Sequence, residues 1–406
     1  MVRPKRGASR VLMTGPLAPY AASYQRELTE RGYTPLSAEH QLRQIERLSR
    51  WLQTAQLTVA ELNWGRVEEF LAFQRAGGRH QASWSRPGLR CLLDVLGKDG
   101  VLVAEKPTLA DSPAEALLAS YERYLLTERG LAVGTVRGYV AHAQQFVGGL
   151  STGGGLTGLT AGDVTRAVLR RSEEVSVPTT QYFVAGLRSF LRFCFVEGLV
   201  EVDLSHAVLP VTGRRHSSLP RGISTADARA LLDCCDRRSG LGRRDYAVII
   251  TLLRLGLRAG EVARLRLDDV DWRVGELVVR GKGNREDRLP LPNEVGGAMA
   301  AYLKRGRPPT DRREMFLRAR APFQPIAART VSSTVRRACR RAGVAEVGSH
   351  RLRHTAACEM VSAHVPLVQI AQVLRHKSLQ STSIYARVDL DQLRLLAAPW
   401  PGGGSR

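Results

Sequence analysis

Apolar side chains recur every three or four residues through most of this chain, the period of an amphipathic helix. The first stripe is Leu42, Ile45, Leu48, Trp51 and Leu52, entered from Ser37. A short helix over 20–31 is expected before it, behind an arm punctuated by Pro4, Gly7, Gly15, Pro16 and Pro19. Val67, Phe70, Leu71 and Gln74 predict a second helix. Thr58 with Glu61 forms a candidate capping box ahead of it, and Asn63 is the competing cap. Leu89, Leu92, Leu93 and Leu96 mark a third helix, stopped at Gly100. Trp64, Phe73 and Trp84 read as core. After a linker containing Pro107, Asp111 and Pro113, Leu117, Leu118, Tyr121, Tyr124 and Leu125 open another helix.

The pattern then repeats on a larger scale. Val136, Tyr139, Ala143 and Phe146 follow Leu42, Ile45, Ser49 and Leu52 at a constant offset of 94. Gly186-Leu187-Arg188, Leu191 and Gly198 follow Gly88-Leu89-Arg90, Leu93 and Gly100 at 98. Two helical modules of like build in tandem are predicted, with the extra residues at Ser151–Gly155. In the second module Phe183, Leu187, Phe190, Leu191 and Cys194 form the buried stripe. Arg188 and Arg192 lie four apart on another face, suited to backbone phosphate. Arg90 and Asp94 hold those places in the first module.

Periodicity lapses over 206–222, which holds Pro210, Gly213, Arg214, Arg215, His216 and Pro220 and reads as a linker. Arg214 and Arg215 either follow a polyanion there or sit in a solvated loop. From Ile223 a third unit begins, with Ser224 and Asp227 as a capping box and an apolar helical run from Tyr246 to Leu255. Glu276–Arg280 and Arg288–Leu291 read as strands around a turn at Gly281–Asn284. Later helices are expected over 298–303, 331–342, 355–361 and 367–374. The fold class is α+β: mainly helical, with one small antiparallel sheet, preceded by helical modules.

Composition changes this picture in one respect. A length of 406 residues allows two or three domains, but a formal charge of +22 exceeds anything a fold needs. It raises the local potential for a polyanion, so nucleic acid is the first candidate partner, against a merely solvated basic surface. Arginine supplies nearly all of it, so Lys282 stands apart from any lysine-rich surface. The six cysteines show no zinc spacing, no run reaches a membrane span, and residues 11–17 are too short and broken for a signal core. A cytoplasmic protein without metal, cofactor or membrane association is expected.

Between Gly256 and Tyr385 the candidate chemistry gathers. G-L-R-A-G-E carries Arg258 and Glu261, G-K-G-N carries Lys282, H-R-L-R carries His350 and Arg353, and L-R-H carries Arg375 and His376 before Tyr385. Guanidinium forks suit phosphate oxygens, and a phenol among cations can be activated as a nucleophile. In order, spacing and flanking pattern this set resembles the tyrosine recombinase, or phage integrase, family, well over 115–398 and weakly before. The resemblance implies the following expectations. Arg258 and Arg353 clamp the scissile phosphate, Lys282 protonates the leaving 5′ oxygen, His350 manages the nucleophile's proton and His376 supports the transition state. Tyr385 forms a 3′-phosphotyrosyl adduct, and Glu261 orients Arg258. Arg375 stands where the family often has glycine, and either adds a phosphate contact or alters the turn that aims His376. His354, next to Arg353, is expected to point elsewhere.

The expected domains are an arm and additional helical module over 1–110, a core-binding domain over 111–205, a linker over 206–222, a catalytic domain over 223–398 and a tail over 399–406. The partners implied are double-stranded DNA with specific sites and a homotetramer on paired sites, with accessory proteins unspecified. The tail's leucines dock either into a neighbouring subunit or onto their own domain. The front module favours a mobile-element integrase or transposase. Rival readings are chromosome or plasmid dimer resolution, type IB topoisomerase-like relaxation, a non-catalytic DNA-binding protein, and a metal nuclease, for which no ligand spacing is present.

Overall fold

The computed structural model describes residues 11–77, 86–102, 112–150, 156, 158–213, 222–281, 286–375 and 382. They fall into two compact units, one drawn from the segments before 104 and after 217, the other from the residues between.

The front of the first unit holds α1 (Ala21–Glu30), α2 (Pro35–Thr54), α3 (Trp64–Ala76) and α4 (Arg86–Lys98). Thr34 caps α2 by accepting from the Ser37 N–H, with Pro35 in the first turn, where its missing N–H costs no bond. Both predicted caps ahead of α3 form: Thr58 and Glu61 close a 3-10 turn, and Asn63 caps the helix itself. Leu42, Ile45, Leu48, Val67, Phe70, Leu89 and Leu92 share one core. Phe73 does not join it: the buried arc of α3 centres on Val67, Phe70 and Gln74, and Phe73 falls beyond its edge at 61% exposure. Gly32, at φ +81°, lies against the Phe323 ring, with which any side chain would collide. The front segment has its own core, within the unit that also holds the residues after 217.

The second unit repeats this build with α5 (Pro113–Thr127), α6 (Val133–Gly148), α7 (Ala161–Glu174) and α8 (Val177–Val196). Its core is aromatic, with Tyr121 edge-on to Phe190 at 5.1 Å between centroids. The 98-residue offset holds in three dimensions. Leu92, Val95 and Leu96 are buried in α4, as are Phe190, Phe193 and Cys194 in α8. Gly100 and Gly198 both take φ +68°, so both helices end in the same left-handed turn.

The remainder of the first unit comprises α9 (Thr225–Asp233), α10 (Gly240–Leu255), α11 (Ala259–Arg264), a sheet, α12 (Asn293–Arg305), α13 (Ala328–Ala342), α14 (Ser349–Ser362) and α15 (Leu367–Val373). The sheet runs β1 (Val270–Asp271), β2 (Glu276–Arg280) and β3 (Glu286–Pro290), in that order and antiparallel. Leu277 pairs with Leu289, and both face the core. β3 starts two residues earlier than its apolar pattern suggests, because Glu286 lies opposite Arg280 and forms an ion pair with it at 3.0 Å. α10 is apolar almost all round, as a helix enclosed by α9, α12, α13 and α14 must be.

Candidate active site

The site begins where α10 ends. Gly256 takes φ +55°, and a Cβ there would lie 2.8 Å from Leu374 Cδ2, so the turn needs glycine both for conformation and for space. This turn puts Arg258 at the N-cap of α11 in extended backbone conformation. The Glu261 carboxylate accepts from the Arg258 backbone N–H at 2.8 Å and from its guanidinium Nη1 at 2.7 Å. The side chain of Arg258 is 46% exposed while that of Glu261 is only 2% exposed, so the cation faces outward and the anion stands behind it.

Arg375 completes this cluster. Its side chain is 5% exposed; Nη2 binds Glu261 Oε2 at 2.8 Å and Nη1 donates to the Val373 carbonyl at 2.9 Å. The guanidinium is thus held on the carboxylate that stands behind Arg258. Its backbone takes φ +53°, the left-handed region that glycine enters freely. Burial alone would raise the Glu261 pKa, but Arg375 and Arg258 outweigh it and hold the carboxylate below its ordinary range.

Arg353, on α14, is 2% exposed. Nη1 donates to the Gly256 carbonyl and Nη2 to the Leu374 carbonyl, so one side chain fastens the turn after α10 to the turn after α15. His350 lies one turn earlier on the same helix, at the open rim. Crowding by its surroundings, then the charges of Arg353, Arg258 and Arg351, lower its pKa. These cationic neighbours bring His350 into the field of both arginines. His354 does not point elsewhere: one turn along α14, its ring meets that of His350 at 4.3 Å between centroids. Residues four apart share a helix face, and that spacing was the signal for this pair. Burial first, then His350, Arg351 and Arg353, push the His354 pKa down to about 4.

Arg188 and Arg192 each have a partner inside their own unit. The Arg188 guanidinium donates twice to the Val208 carbonyl, at 2.6 and 3.1 Å, tying α8 to the chain after it. Arg192 forms an ion pair with Asp203. The first module uses the matching position similarly, with Asp94 accepting from Arg31 at 3.1 Å. These charges serve their own modules, so a phosphate would have to compete for them. Lys282, His376, Tyr385, Arg214 and Arg215 lie outside the described residues.

α13, which covers the helix expected over 331–342, carries a basic face that the sequence analysis did not single out. Val331, Val335, Ala338 and Cys339 bury one face, while Arg329, Arg336, Arg337, Arg340 and Arg341 stand exposed. The signal was present as arginines in the gaps of the apolar period. Among the described residues no group of three or more His, Cys, Asp or Glu side chains is arranged to hold a metal ion, and no helix is long and apolar enough to cross a membrane.

The site is thus a cluster of arginines and histidines around one turn of a mainly helical domain with a three-stranded sheet. The sequence profile of the Phage integrase family matches residues 222–391. "Putative integrase/recombinase y4rA" of Sinorhizobium fredii is 37% identical over 398 residues, covering 96% of this chain and 95% of that protein. "Tyrosine recombinase XerD" of Mycobacterium tuberculosis is 30% identical, covering 71% of this chain and 97% of that protein. The fold is shared with the XerH site-specific recombinase bound to palindromic difH substrate (TM-score 0.56, 16% identity, 82% of this chain and 94% of that one). It is also shared with a lambda integrase (75-356) dimer bound to a core site (TM-score 0.53, 18% identity, 66% of this chain and 94% of that one). The chain belongs to the phage integrase family, the tyrosine recombinases. It is a site-specific recombinase, an enzyme that cleaves and rejoins DNA strands.

Proposed function

We propose that this recombinase acts for a mobile element, as an integrase or transposase, through Tyr385. In this reading Tyr385 attacks a DNA phosphorus, forms a 3′-phosphotyrosyl bond and releases a 5′ hydroxyl. The 5′ hydroxyl of a second strand then attacks the adduct, restoring a phosphodiester and freeing the phenol. One ester is exchanged for another, so no energy source is consumed. Arg258 and Arg353 stabilise the charge that grows on the phosphoryl oxygens. Lys282 donates the proton to the departing oxygen, His350 takes the phenolic proton and His376 steadies the transition state. Metal and cofactor have no part in these steps.

The observation that carries this reading is the convergence of Arg258, Arg353 and His350 on the turn between α10 and α11, on a net cationic background. The mobile-element role draws on coverage. The y4rA protein matches this chain almost end to end, whereas the XerD protein, though itself matched over nearly its whole length, accounts for only 71% of it. The proposed working form is a tetramer on paired sites, with domains over 1–110, 111–205 and 223–398, the linker between the last two, and a tail over 399–406. The exposed arginines of α13 are proposed as a DNA-contacting face.

Strand exchange tests this. A duplex selected from a random pool by binding to the full-length chain is supplied in two labelled lengths, and joint products are resolved after deproteinisation. Recombinant products of both lengths are expected from the wild type and none from Tyr385→Phe. Relaxation of supercoiled DNA with no joint products would contradict the recombinase assignment in favour of action within one duplex.

A further inference from the structure

We propose that Arg375 is a positioning residue for Arg258, acting through the buried carboxylate of Glu261. The proposal rests on the reading of Arg258 as a phosphate-binding arginine.

Three charged groups lie in line, open at one end. The outermost, Arg258, is half exposed; Glu261 and Arg375 are enclosed. Glu261 Oε1 takes Arg258 Nη1 at 2.7 Å and Oε2 takes Arg375 Nη2 at 2.8 Å. The carboxylate is therefore shared, one oxygen to each guanidinium. Without Arg375 the pair would carry no net charge. Its buried anion, poorly screened, would repel an arriving phosphodiester and hold the Arg258 fork back. With Arg375 the cluster carries one net positive charge, and that charge is presented by the residue that faces outward.

Arg375 also acts by geometry. Its guanidinium holds the carboxylate in one orientation, and its own carbonyl accepts from Arg258 Nη2 at 3.4 Å. Both ends of the Arg258 fork are thereby aimed by groups that Arg375 fixes. Burial works against the Arg375 cation and lowers its pKa, and the negative charges of Glu261 and, less strongly, of Asp287 on β3 oppose that loss. The backbone at 375 is left-handed, where a side chain is disfavoured and glycine is at ease. Arg375→Gly therefore preserves the turn and removes only the side chain.

The test is the single-turnover rate of covalent adduct formation by the full-length chain on a nicked duplex selected by binding from a random pool. Arg375→Gly should slow the adduct about tenfold to a hundredfold, the size of effect that misplacing a reacting group produces. Its affinity for the intact duplex should stay near the wild type. In a Glu261→Gln background the same substitution should cause no further loss, since there is no anion left to neutralise. A rate within about twofold of wild type for R375G overturns the proposal. So does an equal loss in both backgrounds, which assigns Arg375 to the turn alone. If R375G melts too low to assay, the comparison of E261Q with E261Q/R375G carries the test, and a further loss there overturns it. Arg258→Ala separates the two levels: a wild-type adduct rate in R258A defeats the reading of Arg258 and this proposal with it. A slow R258A beside a fast R375G defeats this proposal alone.

Discussion

Arg353, Arg375 and Arg188 carry the same guanidinium group in three environments, and the environment decides what each does. Arg353 bridges two turn carbonyls, Arg375 neutralises a buried carboxylate, and Arg188 holds a chain segment against its own helix. The two histidines of α14 are governed likewise, and both are pushed toward the neutral form. A neutral His350 can accept a proton. Its pKa is lowered, so protonation sets in only below the ordinary value of 6.5, and the adduct rate should be level above that pH and fall on the acid side. Removing the nearby cation in R258A should move that acid limb to higher pH. A wild-type limb centred above 6.5 in the pH–rate profile would contradict the assignment. His354 bears on stability in the same direction. An unfolded chain binds this proton near 6.5 and the folded chain only near 4, so stability is lost as pH falls through that window and levels off below it. His354→Gln should lose less Tm than the wild type between pH 7 and pH 5; equal losses would show that His354 is not the group responsible.

At the scale of elements, the periodic parts of the sequence were legible and the partners of its charges were not. The stripes of α2, α3 and α8, the two caps before α3 and the strand Glu276–Arg280 follow from local rules that need no neighbour. The tandem likeness was readable because burial and the left-handed Gly100 and Gly198 turns repeat together. Phe73 misled because apolar identity says nothing about where the buried arc of a helix ends. The internal partners of Arg188, Arg192 and Arg375 were not legible, because a surplus of charge suggests an outside partner, while Val208, Asp203 and Glu261 are available within the fold. Arg188→Ala tests whether the internal partner is the one that counts. Loss of its two bonds to the Val208 carbonyl should destabilise the second unit by about 1–3 kcal/mol. The salt dependence of DNA binding should be unchanged; a shallower slope with an unchanged Tm would return Arg188 to the DNA.

At the scale of the whole molecule, the +22 charge sets how the recombinase meets DNA, and the site sets what happens there. α13 presents five exposed arginines, of which Arg336 and Arg340 already pair with Glu346 and Arg341 with Asp245. Arg329→Ala with Arg337→Ala should therefore weaken binding across all sequences and reduce the log–log salt slope by about one for each phosphate left without its cation. An unchanged slope would remove α13 from the interface. One measurement tests most directly whether Tyr385 is the nucleophile. The full-length chain is incubated with a nicked duplex obtained by binding selection, the covalent complex is isolated on a denaturing gel, and the DNA-linked peptide is mapped by mass spectrometry. The account predicts one adduct, on Tyr385, absent in Tyr385→Phe although that variant still binds the duplex. An adduct on another tyrosine, or an undiminished yield from Tyr385→Phe, would contradict it.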